Sequence, residues 1–422
     1  MHIWIFQTGE PLHCDTEKYR PMRAVNLSNM LIERGHNVEI ISSDFYHQLK
    51  LHRTGKFSKL IINKLLNINL IPSTGYTKHV GIARLFDHLI LSLNLIIFLY
   101  FKKPRTPDFV FIGYPPIECA FVLQIWLHAR NINFLLDIKD NWPVTFLQPF
   151  PKIIHPILKI LFFPYYVISK YTIKNASIIS SITPNFLKWS QQFSKRKLNS
   201  ATTYNSDFVL PLVRRPIDIK PDDLSQSFIY WKDYNLDISL RKHFTFVGSL
   251  TNSFDFDILY HVSKYMYIYD PSISFVICGS GDQFQRLKKL FSDSLNVLLV
   301  GKVNEIDAYT IINSSIATLS PYNNFNHFNM SIPNKVIESL EYSTPFITTL
   351  SGDVAFLARD YNVGIASCTT PDLFKDACLK LYKNPKLRSI MSDNAINLYN
   401  SNFNYYKIYA DLVDRIEKLT NY

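Results

Sequence analysis

Short apolar runs alternate with amphipathic stretches along most of the chain. Residues 2–6 are apolar, a polar loop with Gly9 follows, and residues 22–33 place Met22, Val25, Met30 and Leu31 at helical spacing before Gly35. Residues 38–42 restart as a strand. Strand, loop, helix and strand in that order predict the unit from which parallel sheets are built. The pattern recurs as a strand at 109–113, a helix at 117–129, and strands at 133–138 and 176–182, so the first half is predicted to be α/β.

From 206 to 242 the periodicity fades, with Pro211, Pro216 and Pro221 among clustered charges, which reads as a linker or irregular excursion. A second series then begins. Strands are predicted at 244–247, 274–278, 297–300, 316–320 and 346–349, and helices at 255–266, 284–290, 306–313 and 334–342. Residues 371–422 read as helical, with no strand. The predicted architecture is α/β, two tandem Rossmann-like doubly wound domains. The first spans 1–205 and the second 243–400, joined through 206–242, with a helix at 401–422 expected to pack back on the first.

Composition narrows the class. The 422 residues suffice for two to three domains at about 150 residues each, and 47% hydrophobic with 19% charged residues is far from the signature of disorder. Five cysteines, Cys14, Cys119, Cys278, Cys368 and Cys378, form no C-x-x-C pair, arguing against a disulfide framework or zinc site and for a reducing, cytoplasmic compartment. The N-terminus has a five-residue apolar run and no basic leader, so it reads as a strand and not a signal peptide. A net charge of +11 points to an anionic partner or surface. Nucleic acid fits poorly, since the charge is spread along the chain without a recognised binding motif.

The most apolar stretch, residues 89–101, has thirteen residues, includes Ser92 and Asn94, and falls short of the roughly 20 needed to span a bilayer. Lys102, Lys103 and Arg105 follow it, and residues 150–174 form a second apolar and basic region. Together they suit a monotopic membrane surface, and equally two buried helices.

Ligands of open α/β sheets bind beyond the carboxyl ends of strands. Gly9 and Gly248 both follow such strands, where a missing side chain admits a ligand or simply makes a turn. The segment ICGSGD holds Gly279 and Gly281 before a predicted helix, a natural anion site, although Phe284 stands where a dinucleotide fingerprint needs its third glycine. No Walker-type phosphate loop is present, and the twelve histidines form no H-x-x-x-H pair with neighbouring acids, so no metal is expected. In SIPNKVIESLEYSTPFIT, Lys335 and Glu338 share a helix face, placed to meet a diphosphate and two ribose hydroxyls, or to form an exposed ion pair. In DIKDNWP, Asp137 and Asp140 end a strand beside Trp142, where a carboxylate positions or deprotonates a hydroxyl or caps a loop.

Taken in order, QTGEP, RPMRAVNLSNMLIERGHNVEIISS, PDFVFIGYPP, LLDIKDNWP, SSITPNFLKW, FTFVGSL, SFVICGSGD, NVLLVGKV, PNKVIESLEYSTPFI and SGDVA resemble the retaining GT-B-fold glycosyltransferases of family 4, of the bacterial O-antigen or capsule type. The resemblance spans nearly the whole chain. It implies two domains facing each other across a cleft. A nucleotide-sugar donor, by likeness UDP-linked, is held mainly by the second, through Gly9, Gly248, Ser249, Gly279, Gly281, Val303, Asn334, Lys335 and Glu338. An acceptor, a lipid-linked or growing glycan, is held mainly by the first, through Asp137, Asn141 and Trp142. Catalytic roles fall to Asp140 and Lys335, with front-face displacement and neither metal nor cofactor. The family's first paired glutamate is replaced by Met330, leaving Asn329 or Ser331 as substitutes, and its basic pair after FVGSL is missing. The implied location is cytoplasmic, peripheral at the inner face of the plasma membrane. A nucleotide-sugar epimerase of the same architecture, or a non-catalytic glycan-binding or scaffold relative, fits the same pattern.

Overall fold

The computed structural model describes residues 1–15, 20–77, 81–147, 150–196, 206–323 and 328–420. They fall into two compact units, Met1–Arg215 with Tyr405–Tyr422, and Pro216–Asn404.

Unit 1 runs β1 (His2–Phe6), α1 (Arg23–Glu33), β2 (Asn37–Ser43), a small hairpin of β3 (Phe45–Tyr46) and β4 (Leu51–His52), β5 (Ser58–Ile61), β6 (Leu66–Ile71) and α2 (Ile82–Ile97). It continues with β7 (Phe109–Tyr114), α3 (Ile117–His128), β8 (Phe134–Ile138), α4 (His155–Leu161), α5 (Phe163–Asn175), β9 (Ile178–Ser181), α6 (Pro184–Ser194) and β10 (Phe208–Val209). The sheet order is β10-β9-β8-β7-β1-β2-β6-β5, parallel except for β5, which runs antiparallel to β6. Because β1 pairs with β2 on one side and β7 on the other, the order reverses there, and the loops after β1 and β7 lie side by side. Strands buried on both faces explain the near-continuous apolar runs. The core stacks Trp4 on Trp126, with ring centroids 5.4 Å apart, and packs Leu91 and Leu95 of α2 against the sheet.

The apolar segment is longer than the thirteen residues expected from composition. Its helix runs from Ile82 to Lys102, 21 residues, ending in one π-helical turn. Counting only the unbroken apolar run omitted its first turns, where Arg84, Asp87 and His88 interrupt the hydrophobicity on one face.

Unit 2 runs α7 (Pro221–Asp233), β11 (His243–Val247), α8 (Phe256–Tyr269), β12 (Ser274–Cys278), α9 (Phe284–Leu290), β13 (Val297–Val300), α10 (Glu305–Asn313) and β14 (Ala317–Ser320). Then come α11 (Asn334–Glu341), β15 (Phe346–Thr348), α12 (Asp353–Tyr361), β16 (Gly364–Ile365), α13 (Pro371–Lys383) and α14 (Pro385–Asn402). Its parallel sheet, β13-β12-β11-β14-β15-β16, reverses order between β11 and β14. Residues 206–242 are not an irregular linker throughout. Phe208–Val209 extends the first sheet, and α7 packs on α10, burying Trp231 completely, with its indole N–H donating to the Asp307 carbonyl at 3.2 Å. Pro221, Asp222 and Asp223 sit in the first turn of this helix, whereas Pro211 and Pro216 lie ahead of it. The last helix, α15 (Tyr405–Leu419), packs on α1 of unit 1, where Asp414 and Glu417 accept from Arg34 at 2.9 and 3.4 Å.

Candidate functional site

Unit 1 holds a cavity of ≈240 Å³ beyond the carboxyl ends of β1, β2, β6, β7 and β8, where the order of its sheet reverses. Gly9, at φ +73°, turns the chain after β1. Glu10 is buried there, its two oxygens committed to the Ala24 N–H at the start of α1 (3.0 Å) and to Lys139 Nζ (2.5 Å). Lys139 also donates to Gln7 Oε1 at 2.7 Å, so one ammonium ties the loop after β1 to the loop after β8. Charge-assisted bonds of this kind fix the cavity floor.

Asp140 lines this cavity and Asp137 does not. Alternation along β8 turns Asp137 into the interior, where it is fully buried, accepts from Ser180 Oγ at 2.8 Å and pairs with Arg23 Nε at 3.3 Å. Its expected place on the acceptor side is corrected to a buried ion pair that fastens α1 to the sheet. Asp140 is half-buried and accepts from the Asn141 N–H at 2.9 Å. Burial raises its carboxyl from an ordinary 3.8 to about 6, against the opposing effects of that N–H, the Arg84 charge and the Trp142 side chain. Asn141 and Trp142 are buried behind it. The Trp142 ring supports the wall, with the Arg84 guanidinium 4.8 Å from its centroid and His88 at 5.4 Å.

Much of the cavity comes from residues the sequence did not single out. Arg84, Asp87, His88 and Leu91 project from one face of α2, and His47 and Tyr76, hydrogen-bonded at 2.6 Å, face them from the turn between β3 and β4 and the loop after β6. Asp87 is engaged with its neighbouring loop, accepting from the Gly75 N–H at 2.6 Å. Burial, with Arg84 and His47 nearby, pushes His88 down to about 3, so it is a neutral imidazole at physiological pH. The signal was present: three polar residues at i, i+3 and i+4 in the first turns of a mostly apolar helix mark a face turned to something other than the core. Aromatic rings beside fixed carboxylates and cations suit a sugar, which offers both C–H faces and hydroxyls.

In unit 2, Lys335 and Glu338 lie one turn apart at the start of α11, half-buried. Lys335 reaches under the loop after β11. Its Nζ donates to the Val247 carbonyl and lies 4.1 and 5.2 Å from the ring centroids of Phe246 and Phe254. Gly248 makes that reach possible: at φ +145°, a Cβ there would fall on the Lys335 amine. Glu338 acts on Tyr322, whose hydroxyl is raised by burial and by that negative charge. Asn334 opens the same helix, and Ser249 follows Gly248 in the same loop.

Other expected donor residues fall elsewhere. Cβ atoms at Gly279 and Gly281 would meet backbone atoms of Gly248 and Leu250, and the Gly279 N–H donates to the carbonyls of Val300 (3.2 Å) and Gly301 (3.0 Å). These glycines let two loops pack face to face. The expected anion site at this helix start is corrected: α9 has only seven residues, and the Gln283 and Phe284 N–H groups already bond Leu250 and Gly281 carbonyls at 3.0 and 3.1 Å. Val303 packs on the Trp231–Val300–Ile311 cluster. Gly9 belongs to unit 1 and lines its cavity. Asn329, a candidate substitute for the missing glutamate, accepts from the Ser351 N–H at 3.1 Å and so fastens the loop ahead of α12. Among the described residues, no group of three His, Cys, Asp or Glu converges to hold a metal ion.

Gly248→Ala is therefore expected to lower the unfolding free energy by roughly 1–3 kcal/mol through backbone strain. Gly301→Ala, with open space around it and ordinary φ, is expected to be neutral or to stabilise by about 0.4–1 kcal/mol. Urea unfolding of both variants checks the opposite signs.

Residues 237–398, within unit 2, match the family model of glycosyl transferases group 1. Over 152 residues the chain is 25% identical to an uncharacterised glycosyltransferase of Methanocaldococcus jannaschii, a match covering 35% of this chain and 38% of that protein. In fold the chain resembles sucrose-phosphate synthase from Thermosynechococcus elongatus, with TM-score 0.70, 12% identity, and 99% of this chain and 98% of that one covered. It also resembles HepE from Anabaena, solved in complex with UDP, with TM-score 0.61, 10% identity, and 99% of each chain covered. The fold is that of the GT-B glycosyltransferases, an α/β architecture of two Rossmann-like units.

Proposed function

We propose that the chain is a glycosyltransferase that moves a sugar, with retention, from a UDP-linked nucleotide-sugar to a lipid-linked or growing bacterial surface glycan of O-antigen or capsule type. The observation that carries this is a coincidence within unit 2. The stretch that matches glycosyl transferases group 1 contains the Lys335–Glu338 face and the Gly248 loop above it. Glu338 is assigned to the ribose hydroxyls and Lys335 to the diphosphate, and the acceptor is assigned to the cavity of unit 1.

In the proposed reaction the acceptor oxygen forms a bond to the anomeric carbon on the face from which the diphosphate leaves. The anomeric carbon–phosphate oxygen bond breaks, and the acceptor's proton passes to the departing diphosphate. Lys335 offsets the charge that develops there, which is the largest service a preorganised site can give. Asp140 orients the acceptor hydroxyl or the reacting sugar. No metal or cofactor enters this scheme. The chain is assigned to the cytoplasmic face of the plasma membrane, as a peripheral protein.

Calorimetric titration of the wild type and Glu338→Ala with the diphosphates of uridine, guanosine, adenosine and cytidine tests the donor assignment. One nucleotide is expected to bind, with affinity lowered about 10- to 100-fold in the variant, since the lost bonds involve a charged acceptor. Absence of binding to all four by folded wild type would favour a non-catalytic relative instead.

A further inference from the structure

We propose that the outer face of α2, α4 and α5 is a membrane-docking surface for an anionic lipid leaflet. This rests on the peripheral location proposed above and names the surface responsible. At 3.6 residues per turn, α2 has two opposed faces. Arg84, Asp87, His88 and Leu91 line the cavity, while Ile82, Phe86, Leu89, Leu93 and Ile97 stand on the other side, all exposed. Ile82 is 85% exposed, and the chain ends this helix with Phe101 at 77%. In the most apolar window of the helix only 39% is buried.

A second exposed apolar group lies on α4 and α5. Helix α2 packs on α3, and α3 on α5, so the three form one layer over the sheet. From the bent pair of α4 and α5, Ile157, Ile160, Phe163 and Val167 are exposed, as is Ile153 just before α4, at 86%. Monomeric proteins rarely leave so many large apolar side chains together in water.

Charge selects the occupant. Residues 150–174 contain Lys152, Lys159, Lys170 and Lys174 and no acidic residue, and all four lysines are exposed. After the α2 stripe come Lys102, Lys103 and Arg105, all exposed, and the acid that follows them, Asp108, is bonded to the His2 N–H at 2.7 Å. Apolar side chains bordered by cations are what an anionic leaflet binds, through buried hydrocarbon and headgroup attraction together. The polar inner face of α2 and the packing of Leu91 and Leu95 into the sheet keep this helix lying on the bilayer. The cavity then stands one helix width, about 10 Å, from the lipid.

Vesicle flotation of the full chain tests this, using phosphatidylcholine vesicles with and without phosphatidylglycerol. Wild type is expected to float with the anionic vesicles and far less with the neutral ones. Phe86→Glu with Leu93→Glu is expected to abolish flotation. Lys152→Glu with Lys159→Glu is expected to reduce anionic binding at least about tenfold, at about 1 kcal/mol for each cation near the surface. Should the α2 variant fail to fold, Ile153→Ser with Ile157→Ser on the other element is expected to give the same loss. Wild type that floats with neither vesicle, or flotation unmoved by these variants, overturns the proposal. So does a solution dimer that the α2 variant dissociates, which would assign the face to a second copy. Nucleotide titration of the same variants keeps the two conclusions apart, because these substitutions leave unit 2 untouched.

Discussion

Asp140→Asn is expected to slow sugar transfer by about 10²-fold, the loss that follows when a reacting group is no longer held in its productive geometry, while stabilising the protein above pH 6. Both effects come from one carboxyl. Its folded value of about 6 lies above its ordinary 3.8 because burial disfavours the charge, and the Asn141 N–H, Arg84 and Trp142 recover only part of that cost. Between those values the folded state binds the proton more tightly than the unfolded state does, so stability falls as pH rises through the window. Above it the charge costs on the order of 2–3 kcal/mol, at 1.36 kcal/mol for each pH unit separating the two values. Asparagine keeps an oxygen for the Asn141 N–H, at 2.9 Å in the native protein, and carries no charge. Urea unfolding should show the variant more stable at pH 8 and nearly equal at pH 4. Initial rates give the other half: wild-type turnover should climb with pH through about 6, and the variant should lack that limb. A variant that turns over near the wild-type rate would remove Asp140 from the reaction, whatever its stability.

Such a group was legible in part. DIKDNWP follows a buried strand, so a carboxylate at its end had to lie near a ligand crevice. Period-two alternation separates the two aspartates, sending Asp137 inward to Arg23 and leaving the loop residue Asp140 at the cavity. Which of them faced the ligand was beyond the spacing, because it depends on where the strand stops. The parallel strands and the Lys335–Glu338 face were readable from local pattern alone. The cavity of unit 1 was not, since its walls come from five separate loops and a helix, and only the sheet order brings His47, Tyr76 and Arg84 together. The glycine loop at Gly279 misled for a related reason. A glycine needed for close approach of a phosphate and one needed for close approach of another backbone look identical in sequence, and here the neighbour is Gly248.

Removing the Lys335 charge is expected to lower kcat by about 10²–10³-fold, comparable to the loss of one preorganised donor at a developing oxyanion. Its surroundings make the choice of variant matter. The ammonium is held against Phe246 and Phe254 and bonded to the Val247 carbonyl, so alanine would remove packing together with charge. Lys335→Met keeps an apolar stem of similar length against both rings and deletes only the cation and its hydrogen bond. Its thermal midpoint should stay close to that of wild type while kcat collapses, and the affinity for a bare nucleoside diphosphate, which carries the developed charge in full, should fall as well. That split between stability and rate separates a charge acting on the leaving diphosphate from one that merely holds the loop. Arginine is not expected to rescue, because the space beneath Gly248 is shaped by a single amine that a Cβ would already displace, and a planar guanidinium is wider. Equal losses of stability and rate in the methionine variant would make Lys335 a structural strut of the β11 loop. Wild-type turnover would leave the developing charge to be met by another group.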